Sequence, residues 1–227
     1  MLILAIDTAL DACAAAVLDT RAGVPVAQES QPMKRGHAEA LMPLIARVMK
    51  EAGVGFAALD RIAATTGPGS FTGLRVGLSA ARGIALAANK PAVGLSTLLA
   101  YAAPHLANDE TTPVVSVIDA RHNHVYLQTF APGGRTVIAP RIAPISEAVR
   151  IAAETPARIV GNAARLVADG LKSQGKPSIV IDDRAAPDIA WIATTGAAMD
   201  QDQAPPKPQY LRAPDAQPQN AAQLPRR

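Results

Sequence analysis

A single segment, residues 61–89, stands out in the first half of the chain and reads RIAATTGPGSFTGLRVGLSAARGIALAAN. Its apolar start predicts a buried strand, because a short hydrophobic run ends in two β-branched threonines. The glycines and proline that follow predict a tight reversal of the backbone. A helix should then occupy residues 72–88, with Ser70 or Thr72 as its N-cap. The segment therefore predicts a strand, a turn and a helix in direct succession.

Three glycines inside the predicted helix need a compensating role, since each costs about 1 kcal/mol relative to alanine. At 100° per residue, two of them share one face with small side chains, and arginines occupy the opposite face. We therefore expect the small face to admit another backbone at close range and the arginine face to meet a partner. The expected contact residues are Gly73, Gly77 and Ala80 on the small face and Arg75 and Arg82 on the other.

The turn before this helix allows two interpretations. Gly67, Gly69 and Ser70 could present backbone amides to a phosphate group, since a helix N-terminus attracts anions. The same residues could instead form a strand-to-helix turn that binds no ligand. The spacing matches neither the P-loop pattern, which needs a lysine after the second glycine, nor the three-glycine pattern of dinucleotide-binding folds. The residue types leave both interpretations open.

Composition excludes several classes of protein. The chain has 227 residues, a formal net charge of +3 and one cysteine. A single cysteine excludes an internal disulfide framework and a cysteine-rich zinc site, and the mild charge gives no sign of direct nucleic-acid binding. Asp7 interrupts the apolar N-terminal run, so we expect no signal peptide, and no stretch is long enough to span a bilayer. A cytoplasmic location is therefore expected.

The chain repeats one pattern in its two halves. An apolar strand ends in Ile-Asp at Asp7 and again at Asp119, and each aspartate is followed by a turn into a second strand. Such a duplication predicts an α/β fold with two related subdomains, residues 1–107 and 108–203. The proline-rich tail, residues 204–227, should hold no regular structure. The two aspartates could be catalytic or nucleotide-binding carboxylates, but their repeated position favours bonds to the turn amides.

A second predicted helix, His37–Ala52, carries a broad apolar stripe. His37, Leu41 and Ile45 belong to this stripe, which follows helical spacing. Two such helices in one chain could pack against two helices of a homologous partner, or against those of a second copy. We therefore predict that the helices His37–Ala52 and 72–88 form a partner interface, with His37, Leu41 and Ile45 among the contact residues.

Five stretches of the sequence resemble one protein family. They are TTGPGSFTGLRVGLSAARGIALA, the helix opening His37-Ala38-Glu39, the run KPAVGLSTL, IDAR at residues 118–121 and PQYLR at residues 208–212. Together they are similar to the bacterial threonylcarbamoyladenosine biosynthesis proteins called TsaB or YeaZ. The resemblance implies a duplicated actin-like fold, of the sugar kinase and heat-shock ATPase class, with an abbreviated second half.

The same resemblance implies a role and a set of partners. Members of this family are non-catalytic scaffolds for the related protein TsaD, which transfers a threonylcarbamoyl group to N6 of the adenosine beside the tRNA anticodon. The resemblance also implies the ATPase subunit TsaE as a partner, tRNA contact through the complex and a homodimer when the chain is alone. It implies no cofactor of the chain's own, although ATP or ADP could bind at the partner interface.

The metal site that the resemblance implies for TsaD has no counterpart in this sequence. TsaD holds its metal with a His-x-x-x-His pair, and the corresponding positions here are Thr97 and Tyr101. A hydroxyl and a phenol cannot replace two imidazole ligands, so we expect the metal on the partner. Two alternatives stay open: an independent weak ATPase or kinase of the actin-like class, and a metallopeptidase. Turnover that depends on Asp7 would favour the first, and stoichiometric metal would favour the second.

Overall fold

Two five-stranded sheets of the same topology form the protein in a computed structural model that describes residues 1–109, 111–154 and 156–212. The first sheet has the order β3-β2-β1-β4-β5, with strands β1 (Leu2–Asp7), β2 (Ala12–Asp19), β3 (Pro25–Pro32), β4 (Arg61–Gly67) and β5 (Ala92–Ser96). The second has the order β10-β9-β6-β7-β8, with strands β6 (Val114–Asp119), β7 (His124–Phe130), β8 (Thr136–Pro144), β9 (Arg158–Val160) and β10 (Ile179–Asp182). In each sheet three antiparallel strands are extended by two parallel ones. The predicted duplication of an α/β unit is confirmed.

Helices flank both sheets. They are α1 (His37–Ala52), α2 (Phe71–Ala88), α3 (Thr97–Asn108), α4 (Ile145–Glu154), α5 (Ala164–Ser173) and α6 (Ile189–Ala198). The first two have 16 and 18 residues and their counterparts α4 and α5 have 10 each, so the second half is the abbreviated one. Ser70 caps α2, since its Oγ accepts a hydrogen bond of 3.3 Å from the backbone N–H of Gly73. Within the described ranges, no helix combines the length and apolar character needed to cross a membrane.

The main core of the first half lies between its sheet and helices α1 and α2. Leu41 and Ile45 are at most 1% exposed there, and the ring Nε2 of His37 lies 3.1 Å from the carbonyl oxygen of Leu10. The apolar stripe of an amphipathic helix covers its own sheet first, because that burial stabilises the monomer. The structure therefore corrects the prediction that His37, Leu41 and Ile45 face a partner.

Helix α6 returns the chain from the second half to the first sheet. Ile189, Ile192 and Ala193 pack in one cluster with residues of β1, β2 and β5. The guanidinium of Arg61, on β4, donates hydrogen bonds of 2.7–3.0 Å to three carbonyl groups at the C-terminal end of α6. Helix α6 therefore packs on the first sheet, although it lies in the segment 108–203 that the prediction gives to the second subdomain.

Helix α3 lies between the two halves, as its place in the chain predicts. Its Leu98 and Tyr101 are fully buried in a cluster that joins residues of the β1–β2 turn and α2 to residues of the second sheet. The hydroxyl of Ser116, on β6, donates a hydrogen bond of 2.8 Å to the carbonyl oxygen of Leu98. A shared apolar layer therefore joins the two halves on this side of the molecule.

The described part of the tail, residues 204–212, contains neither helix nor strand, as predicted. It nevertheless lies against the folded body, because the N–H of Gln209 donates a 2.7 Å hydrogen bond to the carbonyl of Thr66. The remainder of the predicted proline-rich tail, residues 213–227, lies outside the described residues.

Candidate functional site

The two repeated aspartates end equivalent strands, β1 and β6, and bind the turns that follow. An Oδ1 atom of Asp7 accepts a hydrogen bond of 3.0 Å from the N–H of Ala9. In the same way, Oδ1 of Asp119 accepts a hydrogen bond of 2.7 Å from the N–H of Arg121. These bonds, each to the amide two residues onward, are the ones that the repeated position favours.

The surroundings of the two carboxyl groups differ. Asp7 is 0% exposed, and its Oδ1 also accepts a 2.5 Å hydrogen bond from the hydroxyl of Thr65. Its Oδ2 atom is buried without a hydrogen-bond partner among the described residues. Burial therefore raises the pKa of Asp7 above its usual range, although the hydrogen bonds oppose the shift. Asp119, in contrast, is exposed.

The turn between β4 and α2 is filled by the protein's own backbone. A Cβ atom on Gly69 would lie closer than 3.0 Å to the carbonyl oxygen of Ala9, and the N–H of Ser70 donates a 2.7 Å hydrogen bond to that same oxygen. Gly67 has φ of +106°, and a Cβ atom there would lie 2.9 Å from the carbonyl oxygen of Gln209. Close packing therefore accounts for both glycines. This favours the interpretation as a strand-to-helix turn that binds no ligand over the interpretation as a phosphate-binding loop.

A cleft of about 390 Å³ lies between the two halves. Ser70 and Thr72 line it from the first half, Asp119 and Arg121 from the second. Residues 209–212 of the tail line it as well, and the guanidinium of Arg212 donates a 3.0 Å hydrogen bond to the carbonyl of Ala120. The cleft thus brings together most of the residues considered for nucleotide binding, whereas Gly67 and Asp7 are not part of its lining.

The small face of α2 packs inside the chain. Cβ atoms added at Gly73 and Gly77 would lie closer than 3.0 Å to the carbonyl and hydroxyl oxygens of Thr8, respectively. The hydroxyl of Thr8 also donates a 2.7 Å hydrogen bond to the carbonyl of Gly73. The backbone that approaches this face is therefore the β1–β2 turn of the same chain. The prediction that Gly73 and Gly77 meet a partner is corrected.

The arginine face of α2 holds the tail. The guanidinium of Arg75 lies 3.7 Å from the centre of the Phe71 ring and its Nε is 3.3 Å from the hydroxyl of Tyr210. Both Nε and a terminal nitrogen of Arg82 donate hydrogen bonds to the carbonyl of Pro206, the first at 2.8 Å. These arginines, predicted to contact a partner, contact residues of the same chain in this structure.

An apolar groove remains exposed between α1 and α2. Its volume is about 460 Å³, and we call it the α1/α2 groove; it is lined by Met42, Phe56, Ala57, Ala80, Gly83, Ile84, Ala87 and Ala88. The side chains of Met42 and Phe56 are 49% and 37% exposed. Of the residues predicted for the interface, only Ala80 lines this groove. Met42 and Gly83 lie on the two predicted interface helices but were not named as contact residues, although an exposed glycine inside a helix was a signal that could have singled out Gly83. Phe56 lies outside the predicted helices and was missed.

The positions that correspond to the metal ligands of TsaD are buried. Thr97 and Tyr101 are both 0% exposed. The hydroxyl of Tyr101 donates a 2.7 Å hydrogen bond to the carbonyl of Arg184, and burial raises the pKa of this phenol. In the parts of the chain that the structure describes, no cluster of three or more His, Cys, Asp and Glu side chains could hold a metal ion.

Comparison with known proteins identifies relatives in sequence. A family model described as TsaD, tRNA N6-adenosine threonylcarbamoyltransferase, matches residues 31–178, more than half of the chain. The chain is 36% identical over 126 residues to the tRNA threonylcarbamoyladenosine biosynthesis protein TsaB of Escherichia coli. That match covers 56% of this chain and 53% of the relative, so the chain spans about half the length of this curated relative.

Solved structures match the fold over almost its whole length. A Pseudomonas aeruginosa protein with similarity to the peptidase YEAZ has a TM-score of 0.72 at 27% identity, with 93% of this chain and 99% of that chain covered. The activator of 2-hydroxyisocaproyl-CoA dehydratase from Clostridium difficile has a TM-score of 0.50 at 12% identity, with 89% and 95% covered, and therefore shows the fold alone. The predicted actin-like α/β fold is confirmed. On its sequence and its fold, this chain belongs to the TsaB (YeaZ) branch of the TsaD-related family of tRNA threonylcarbamoyladenosine biosynthesis proteins.

Proposed function

We propose that this chain is a non-catalytic partner of a TsaD-type transferase in tRNA threonylcarbamoyladenosine biosynthesis, and that it binds through the α1/α2 groove. Gly83 carries this proposal. A glycine inside a helix costs about 1 kcal/mol relative to alanine. Among the described residues, apart from the backbone of its own helix and its chain neighbours, no atom lies within 4 Å of the position of the missing Cβ of Gly83, so no packing contact there explains this glycine. A partner helix that passes close to α2 at this point would explain the glycine.

The chemistry around Gly83 supports a protein partner. The groove combines the exposed thioether of Met42 and the exposed ring of Phe56 with a floor of small side chains. Methionine adapts its shape to irregular surfaces, and methionine and aromatic residues are enriched in the centres of protein interfaces. Burial of this apolar surface would contribute about 25 cal/mol for each Å² that is removed from water.

Family membership supports the identity of the partner. The family model that fits this chain describes the transferase itself, so a TsaD homologue should present related helices. Two related chains can pair through equivalent surfaces about an approximate twofold axis. The same groove would pair with itself in a homodimer when the transferase is absent. TsaE and tRNA would then join through the complex, in the cytoplasm.

The catalytic chemistry would belong to the partner. Two imidazoles hold the metal of TsaD according to the resemblance, whereas here Thr97 is buried and the phenol of Tyr101 is committed as a hydrogen-bond donor. We therefore propose that the metal is held by the partner. ATP or ADP would bind at the interface of the two chains, and this chain would have no cofactor of its own.

Two other functions have less support. The cleft between the halves favours a weak ATPase or kinase, but backbone and tail atoms of the chain already occupy the close approaches at Gly67 and Gly69. One solved relative is described as similar to a peptidase. The metallopeptidase alternative would need a metal site, and the described residues contain no group of three or more His, Cys, Asp and Glu side chains that could form one.

Co-expression tests the proposal. With the TsaD homologue of the same organism, the chain should form a complex that elutes as one species in size-exclusion chromatography. The purified chain alone should hydrolyse neither ATP nor a peptide. Separate elution of the two chains would contradict the proposal, and ATP hydrolysis that is lost in Asp7→Ala would favour the kinase alternative.

A further inference from the structure

The tail segment, residues 204–212, runs from the edge of the first sheet to the second half. At its start the carbonyl of Ala204 accepts a 2.9 Å hydrogen bond from the N–H of Gly94, on the edge strand β5. Gln209 then bonds to Thr66 at the end of β4. At the far end the side chain of Arg212 reaches Ala120, in the turn after β6. The segment therefore contacts both halves across the mouth of the cleft.

The body of the protein is shaped to receive this segment. A Cβ atom on Gly94 would lie 2.9 Å from the Cα atom of Pro206, and one on Gly67 would lie equally close to Gln209. Two glycines thus leave room for the segment where it crosses the sheet. A proline-rich segment loses less conformational entropy than other sequences when it is held in an extended form.

Side chains of α2 also contact the tail segment, residues 204–212. Arg82 bonds to the carbonyl of Pro206 through two nitrogens. The ring of Tyr210 packs against the ring of Phe71, with 4.9 Å between the ring centres. The guanidinium of Arg75 lies 3.7 Å from the centre of the same Phe71 ring. The contacts are distributed along the segment, from its first residue to its last, as in a strap rather than a single anchor.

We propose that residues 204–212 form a strap that fixes the angle between the two halves and thereby sets the width of the cleft. The halves share their apolar layer at α3, and Ala9 and Leu10 of this layer form part of the cleft lining. The strap ties them at the cleft, where Tyr210 is bound to the first half and Arg212 to the second. Release of the strap would leave the α3 layer and the link from β10 to α6 as the connections between the halves, and would let the cleft open. This inference is independent of the proposed function, because it concerns the isolated chain.

Distance measurements between two spin labels test the strap. Labels can be attached through Glu39→Cys on α1 and Lys172→Cys on α5, since both positions are exposed and the native Cys13 is buried. In the labelled chain with no other change, double electron–electron resonance spectroscopy should give one narrow distribution of distances between the two spin labels. In the full chain with Tyr210→Ala and Arg212→Ala, the distribution should broaden and its mean should shift.

Two further variants keep the result interpretable. Arg35→Ala removes an exposed arginine for which no hydrogen bond to the described strap residues is seen, and it should leave the distribution narrow. If the double variant fails to fold, Arg82→Ala alone removes one contact and should still broaden the distribution. A narrow and unshifted distribution in whichever strap variant folds would overturn the proposal, since the segment would then be bound without holding the halves.

Discussion

Replacing Gly73 with alanine should lower the free energy of unfolding by about 1–3 kcal/mol, the usual cost of overpacking a well-packed site. The new methyl group would lie closer than 3.0 Å to the carbonyl oxygen of Thr8, which belongs to the backbone and cannot turn aside. The loss would exceed the gain of about 1 kcal/mol that alanine brings to a helix interior. Urea unfolding followed by circular dichroism measures the difference.

The matched control is the same substitution ten residues later in the same helix. Gly83→Ala should raise the free energy of unfolding by up to about 1 kcal/mol, because the added methyl group would meet no described atom within 4 Å other than those of its own helix backbone and chain neighbours. The two variants should therefore differ in sign. Equal effects at the two positions would show that the two faces of α2 are packed alike, contrary to this account.

The Gly83→Glu variant should stay folded and bind the TsaD homologue more weakly. Glutamate is a better helix former than glycine, and position 83 is exposed in the isolated chain. In a complex, its carboxylate would be buried without a partner group in an apolar interface, which is costly. We expect affinity for the TsaD homologue to fall by about tenfold or more, equivalent to about 1.4 kcal/mol. Surface plasmon resonance with the immobilised transferase measures this loss.

Leu166→Glu provides the control for that variant. Leu166 is 45% exposed on α5, in the second half, so the same charge is added to an apolar surface position outside the groove. Its affinity for the transferase should equal that of the unchanged chain. If Leu166→Glu weakens binding and Gly83→Glu does not, the partner binds the second half instead.

Local patterns in the sequence predicted the secondary structure well. Helix α1 has the predicted bounds, and α2 begins one residue before its predicted start. The Ile-Asp repeat predicted the two matching sheets, because each aspartate ends an equivalent strand and bonds to the turn amide two residues onward. These features depend on residues close together in the chain, so periodicity and turn chemistry contain the necessary information.

The residues that pack against each helix face could not be predicted in the same way. The helical wheel separated the small face of α2 from its arginine face correctly, but it could not show what would cover them. Thr8, more than sixty residues earlier in the chain, covers Gly73, and Pro206, 124 residues after Arg82, meets the arginine face. Such long-range partners depend on the tertiary fold, so the helix pattern alone does not identify them. Ala80, assigned to the same small face as Gly73 and Gly77, lines the exposed α1/α2 groove instead.

Photo-crosslinking tests most directly whether the α1/α2 groove is the partner surface. A photoreactive benzoylphenylalanine would replace Met42, whose side chain is 49% exposed in the groove, or Leu166, which is 45% exposed on the second half. Each chain would be mixed with the TsaD homologue and irradiated. The account predicts a covalent product of the two chains from position 42 and none from position 166. A product from position 166 alone, with the two chains still co-eluting, would contradict it.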